Sequence, residues 1–296
     1  MIFAGLFIDS VIFSPYIEHV ESKMVWNISG GPSVSYQPNI LSELSFNDIN
    51  EFGKGIKFGY LKKINPGLAF VIDANLTTSF IRSGTSQDSD YIENDRYGEF
   101  SRSHAKIGGD DNRHIEGNLG IKFRWLGKPK HYGQFLVGSR IDEISYRMTK
   151  GTIAIPVEER GQSYLEDLNS TYETELSSVS LSFSTEHVFR FGTLGMGYSQ
   201  FYSKMDSVAD WNLREDLRHP DSFIQTGDGA GQSVNLSYSY QIERNWDFNV
   251  TLSKTTIDID DGYDHTYLEN GEAYVTTLNM LKYSRRSLKM GITFNI

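Results

Sequence analysis

The fold class this chain predicts is all-β: an antiparallel up-and-down transmembrane barrel of about ten strands, with short periplasmic turns and long extracellular loops. Three observations predict it. From Leu68 the residues Leu68, Phe70, Ile72, Ala74, Leu76 and Phe80 alternate with Asp73, Asn75, Thr77 and Ser79, a period of two. The run has the roughly nine to eleven residues that a tilted strand needs to cross a bilayer, where a soluble strand usually has about five or six. Second, tight turns and long polar stretches take turns along the chain. Third, 17 Tyr, 18 Phe and 4 Trp accompany a mean hydropathy of -0.40, and nowhere do about eighteen apolar residues follow one another. Polar side chains facing a lumen cancel an apolar outer face in any such average.

The elements follow in order. A first strand is expected around Met24 to Tyr36, with residues 1–22 as an N-terminal segment and 23–296 as one barrel domain. Met1 to Ser14 is mostly apolar but lacks a basic start and carries Asp9, so a truncated signal remnant and an ordinary N-terminal segment both stay open. Ile56, Phe58 and Tyr60 lead to the turn Asn65-Pro66-Gly67 and the Leu68 strand. Ile115 to Trp125 leads to a turn at Leu126 to Gly133 that carries Gly127 and Pro129, and Phe135 and Val137 start the return. Val179, Leu181 and Phe183 precede a connection around Glu186 to Gly192, then Leu194, Met196 and Tyr198. Val234 to Ile242 precede Glu243-Arg244-Asn245, and Trp246 to Leu252 leave it. Leu288, Met290, Ile292, Phe294 and Ile296 share the last strand's apolar face. Between these hairpins lie polar stretches near 37–54, 82–113, 148–175, 203–231 and 258–283, expected as loops at the outer end.

The chain has no cysteine, which removes disulfides and thiolate chemistry. Its net charge of -10 argues against nucleic acid and favours cationic partners. Asp88 and Asp90 end the Leu68 strand two residues apart, so on extended backbone their carboxylates share a face about 7 Å apart and can hold a water or a cation. Adjacent carboxylates raise each other's proton affinity. The surrounding stretch also carries Glu93, Asp95, Glu99, Asp110 and Asp111, as a merely solvated loop does. In Asp216-Leu217-Arg218-His219-Pro220-Asp221 a histidine oriented by a carboxylate would deprotonate water near neutral pH; the alternative is that His219-Pro220 shapes a turn. Asp258, Asp260, Asp261 and Asp264 fail the calcium-loop spacing, because Ile257 and Ile259 fall on ligand positions and Leu268 stands where a glutamate is needed. There is no Gly-x-Ser-x-Gly, Ser-x-x-Lys or His-Glu-x-x-His motif, and Gly108-Gly109 and Gly227 to Gly231 lack a phosphate-cradle context. No cofactor and no metal are assigned.

The strand leading to Asp88-Ser89-Asp90-Tyr91 and the Asp/His pattern in the fourth outer stretch together resemble the omptin family of outer-membrane endopeptidases. The resemblance implies a bacterial-type outer membrane and a water poised between Asp88/Asp90 and an Asp216/His219 dyad. It implies attack on peptide bonds beside basic residues, and lipopolysaccharide as a partner. The family's dyad is Asp-x-His, whereas Asp216 and His219 stand one residue further apart and proline follows. Asp95-Arg96 and the run Gly98 to Ser103 are also similar to omptin-like outer-membrane proteins without established protease activity. The competing function is therefore a non-enzymatic barrel, a porin-like channel or a surface binding protein, with a soluble β-protein third.

Overall fold

The computed structural model describes residues 9–30, 40–92, 96–109, 111–125, 128, 130–156 and 164–296. Residues 31–36 of the expected first strand, Gly127 and Pro129, and Glu93, Asp95 and Asp110 lie outside them, as does the signal-remnant reading for residues 1–8. Among the described residues there are eleven strands: β1 Ser10–Ser29, β2 Ile40–Asn65, β3 Leu68–Ile92, β4 Glu99–Ile107, β5 Asp111–Arg124, β6 His131–Ile155, β7 Tyr164–Phe189, β8 Gly192–Asp210, β9 Phe223–Glu243, β10 Trp246–Tyr267 and β11 Ala273–Asn295.

Every neighbouring pair is antiparallel, and β1 pairs with both β2 and β11, so the sheet closes on itself. Closure removes the free edges that an open sheet would expose in lipid. β4 and β5 occupy one place in the ring. β4 pairs with the upper half of β3 and β5 with its lower half, and both pair with β6. The eleven strands therefore make ten staves, the break falling near Gly109, whose φ of 90° suits glycine.

The first strand begins at Ser10, not near residue 23, and pairs with β2 from that residue onward. Residues 10–22 are barrel wall. Ile17 faces outward and Glu18 and Val20 inward, an alternation obscured in the sequence by charged residues of both orientations.

Outward-facing Phe58, Ile72, Leu119, Val137, Leu181 and Leu236 are among the exposed apolar side chains that form a belt. It ends near the paired Phe52 and Phe80. β3 continues for twelve residues beyond Phe80, roughly 40 Å of strand at about 3.3 Å per residue. The polar stretches expected as loops are thus largely strand, extended above the membrane as hairpins. They escaped the period-two reading because their outer face meets water, and each gives only a few apolar residues to the inner face.

The interior is layered. At belt level it is polar and paired: Arg285 donates to Glu18 at 2.8 Å, and Arg140 and His114 meet Asp142 at 2.6 and 2.8 Å. Above the belt the inside becomes apolar. Phe46 on β2 lies 4.5 Å from Tyr146 on β6 and 5.4 Å from Tyr172 on β7, and Trp26 on β1 lies 5.8 Å from Tyr172. These strands are not neighbours in the ring, so the contacts cross the lumen. Met24, Leu44, Ile49, Ile81, Ile107, Ile144 and Leu278 complete this plug. Gly84 belongs to it: a Cβ there would come within 2.3 Å of the Ile49 side chain.

Candidate functional site at the outer mouth

Asp88 and Asp90 lie on β3 just above the plug. Their cross-strand partners on β2 are Leu44 and Ser42, and on β4 Ser103 and Ser101. Leu44 is wholly buried in the plug, and a residue opposite it on the same face must point inward too. Both carboxylates therefore face the mouth of the barrel. Ser42 donates a hydrogen bond to Asp90. The run Gly98 to Ser103 supplies the neighbouring wall, with Arg102 paired to Glu99 on the outside. Burial, reinforced by the charge of Asp90 and opposed by Arg214, pushes the Asp88 carboxyl up to about 7.

The segment between β8 and β9 forms the other wall. Its turns are closed by Arg214 N–H to the Trp211 carbonyl and Leu217 N–H to the Arg214 carbonyl, both 2.9 Å. Leu217 is buried and bridges to Leu268, while Glu269 N–H binds the Asp216 carbonyl at 3.1 Å, so the segment is clipped to the β10–β11 tip. Trp211 packs edge-on against Phe223.

The four expected site residues are not brought together as expected. Asp216 does not orient His219; it takes a two-pronged contact from Arg214, 2.8 Å on each oxygen. That contact holds the Asp216 carboxyl below its ordinary range. His219 Nδ1 instead meets Asp210 Oδ1 at 2.6 Å. Asp210 ends β8 in the phase of exposed Tyr202, Lys204, Asp206 and Val208, opposite to buried Ser203, Met205, Ser207 and Ala209. The dyad thus belongs to the outward phase, whereas Asp88 and Asp90 belong to the inward one. The charge from this wall that acts on both Asp88 and Asp90 is that of Arg214.

Arg214 and Asp210 are the residues that sequence reasoning missed. Arg214 stands two before Asp216, a spacing that offered a local pairing signal. Asp210 is nine residues before His219 and only the closure of the segment joins them. Asp258 and Asp260 are exposed while Asp264 is fully buried. Asp264 accepts from Gln225, Thr266 and Thr276, and Gln225 also receives the Tyr172 hydroxyl at 2.8 Å. That aspartate braces the plug. No group of three or more His, Cys, Asp or Glu suited to a metal occurs among the described residues.

The model of the family described as Protochlamydia outer membrane protein matches residues 19–296. No curated protein matches the chain. Among solved structures, the outer membrane protease OmpT from Escherichia coli is similar over 97% of each chain, at 12% identity and a TM-score of 0.69. OprG from Pseudomonas aeruginosa is similar over 99% of this chain and 98% of its own, at 9% identity and a TM-score of 0.37. A Pseudomonas aeruginosa FadL homologue is similar over 97% and 91%, at 8% identity and 0.34. The likeness to OmpT is one of fold, an omptin-like barrel, and the family match places it in the outer membrane.

Proposed function

Because the chain belongs to the Protochlamydia outer membrane protein family, and so to the outer membrane, we propose that it is a closed surface binding barrel. Its mouth captures cationic side chains of peptides on Asp88 and Asp90. The observation that carries this reading is the inward carboxylate pair set above a packed plug, within the field of the positive charge of Arg214 on the opposite wall. Arg214 is paired with Asp216 and reaches the carboxylates through its charge alone, so the seat between them is left to an incoming Lys or Arg. The plug speaks against a porin-like channel, since side chains from opposite staves meet inside. Hydrolysis would need a base facing the pair, and the Asp210–His219 dyad lies in the other phase. Outward Lys54, Arg82, Arg113, Lys204, Lys254 and Arg286, around the outer edge of the belt, suit the phosphates of an outer-leaflet lipid such as lipopolysaccharide.

Fluorescence anisotropy of an Arg-containing peptide, with the refolded barrel in lipopolysaccharide-supplemented detergent, tests it. Binding is expected to weaken about tenfold or more in Asp88→Asn/Asp90→Asn, as for loss of a charge-assisted contact, and to tighten in Arg214→Ala. The peptide stays intact. Absence of binding, or binding indifferent to both variants, overturns the reading. A second reading, the omptin-type endopeptidase with Asp88 and Asp90 positioning water and His219 as base, is favoured by the Asp88 carboxyl held near neutral pH, where a proton carrier works best. Cleavage of the same peptide that is lost in His219→Ala would establish it instead.

A further inference from the structure

At the periplasmic rim, far from the mouth, two imidazoles face each other. His131 begins β6 and is the direct cross-strand partner of His187 on β7. Their Nδ1 atoms are 3.0 Å apart and their ring centroids 4.0 Å. The pair shares the outward face with Phe135 and Phe183, and Phe189 stands edge-on to His187 at 4.1 Å. Its backbone is fixed. Trp125 N–H binds the His131 carbonyl at 3.1 Å and Val188 N–H the Lys130 carbonyl at 2.9 Å. The nearest acidic neighbour in sequence, Glu186, faces the other way and binds Lys122.

Among the described residues neither ring has a carboxylate partner, and the two Nδ1 atoms point at each other. Two Nδ1 atoms facing each other share a single hydrogen only if the rings take opposite tautomers. A metal ion satisfies both lone pairs at once. With metal–nitrogen distances of about 2.0–2.1 Å and angles between about 90° and 109°, the nitrogens of two imidazole ligands of one ion lie roughly 2.8–3.4 Å apart, which brackets the observed separation. Imidazole nitrogen suits borderline divalent ions, with affinity rising to copper(II) along the first row.

We propose that His131 and His187 form an open two-histidine site for a divalent transition metal, copper(II) or zinc(II), on the periplasmic rim. Water completes the coordination, and the open positions leave room for a donor from another molecule. The test is titration of the full-length refolded barrel, without an added histidine tag, with copper(II) alone, followed by electron paramagnetic resonance and calorimetry. One equivalent with hyperfine structure from two nitrogens is expected. Losing an outer-sphere partner alone typically costs ~10–100-fold. His131→Gln or His187→Gln is therefore expected to weaken binding by at least about tenfold, and His19→Gln to leave it unchanged. Heat-dependent gel mobility checks that each variant is folded. Failure of the barrel to bind, or an unaltered spectrum in the folded double variant, overturns the proposal.

Discussion

Asp88 and Asp90 sit on a strand hydrogen-bonded on both sides, whereas His219 sits in a twelve-residue connection held by turn bonds and by three backbone hydrogen bonds to the β10–β11 tip, Arg218 N–H to Tyr267, Tyr267 N–H to Ser222 and Glu269 N–H to Asp216. On the first wall a residue's orientation follows from parity: once Leu44 is in the plug, Asp88 must face inward. On the second wall parity ends at Asp210, and what faces the mouth is decided by the packing of Leu217 and Trp211. The contrast teaches that an unbroken ladder transmits side-chain direction, about 3.3 Å per residue, while each irregularity resets it: the β2–β3 register shifts between Asn47 and Glu51 turn the phase that faces outward at Phe80 inward by Asp88. A catalytic pair split between a ladder and a connection is therefore easily disassembled, and here His219 pairs with Asp210 while Arg214 holds Asp216.

The sharpest way to break the ladder side of this comparison is through the plug that fixes its parity. Phe46 and Tyr146 touch across the lumen and both are fully buried. Replacing each by alanine is expected to cost about 3–5 kcal/mol, as for other buried aromatics, with no rescue by collapse because the staves are held apart by their own ladders. Urea unfolding in detergent measures the loss. The double variant should also leak in planar bilayers where the unaltered barrel does not conduct, and a conducting unaltered barrel would remove the plug from the account.

A similar effect is expected one layer down. Glu18 is fully buried and Arg285 nearly so, 2.8 Å apart on the neighbouring staves β1 and β11. Arg285→Met leaves a carboxylate without its partner and is expected to destabilise the barrel by about 3–5 kcal/mol. Glu18→Gln/Arg285→Met should recover most of that, since replacing a buried pair as a unit is often near neutral. If the double variant is no more stable than Arg285→Met, Lys289, 3.9 Å from Glu18, is carrying the charge instead.

How much of this was legible in the sequence divides along the same line. The staves within the belt could be read from Leu68 to Phe80 or from Leu288 to Ile296, because lipid outside and polar groups inside enforce alternation. Beyond Phe80 the outside is water, so Arg82, Ser83 and Gln87 carry no apolar mark, and β3 reads as loop as far as Ile92. The plug was hidden too. Its members come from six or more staves, a few inward positions from each, and no single segment shows an apolar stripe. The carboxylate pair was legible because two aspartates on a strand share a face wherever that strand goes. The partner of His219 was not, since it depends on where a connection folds back.

The mildest effect tests whether the carboxylate pair behaves as the seat of a cation. Burial and Asp90 raise the Asp88 carboxyl to about 7, so it passes from about one tenth to about nine tenths ionised between about pH 6 and 8. Capture of an Arg-containing peptide should strengthen by up to roughly ninefold over that interval, about 1.3 kcal/mol at 1.36 kcal/mol per decade. In Asp88→Asn the slope should flatten while weaker binding through Asp90 persists. The contribution of Asp88 to folding runs the other way: the folded chain holds this proton more tightly than the unfolded one. The stability it contributes is present below about pH 4 and declines as pH rises towards about 7. A binding profile that is flat across the interval, or one that keeps its slope in Asp88→Asn but loses it in His219→Ala, would move the proton from the ladder wall to the connection and reverse the roles of the two sides.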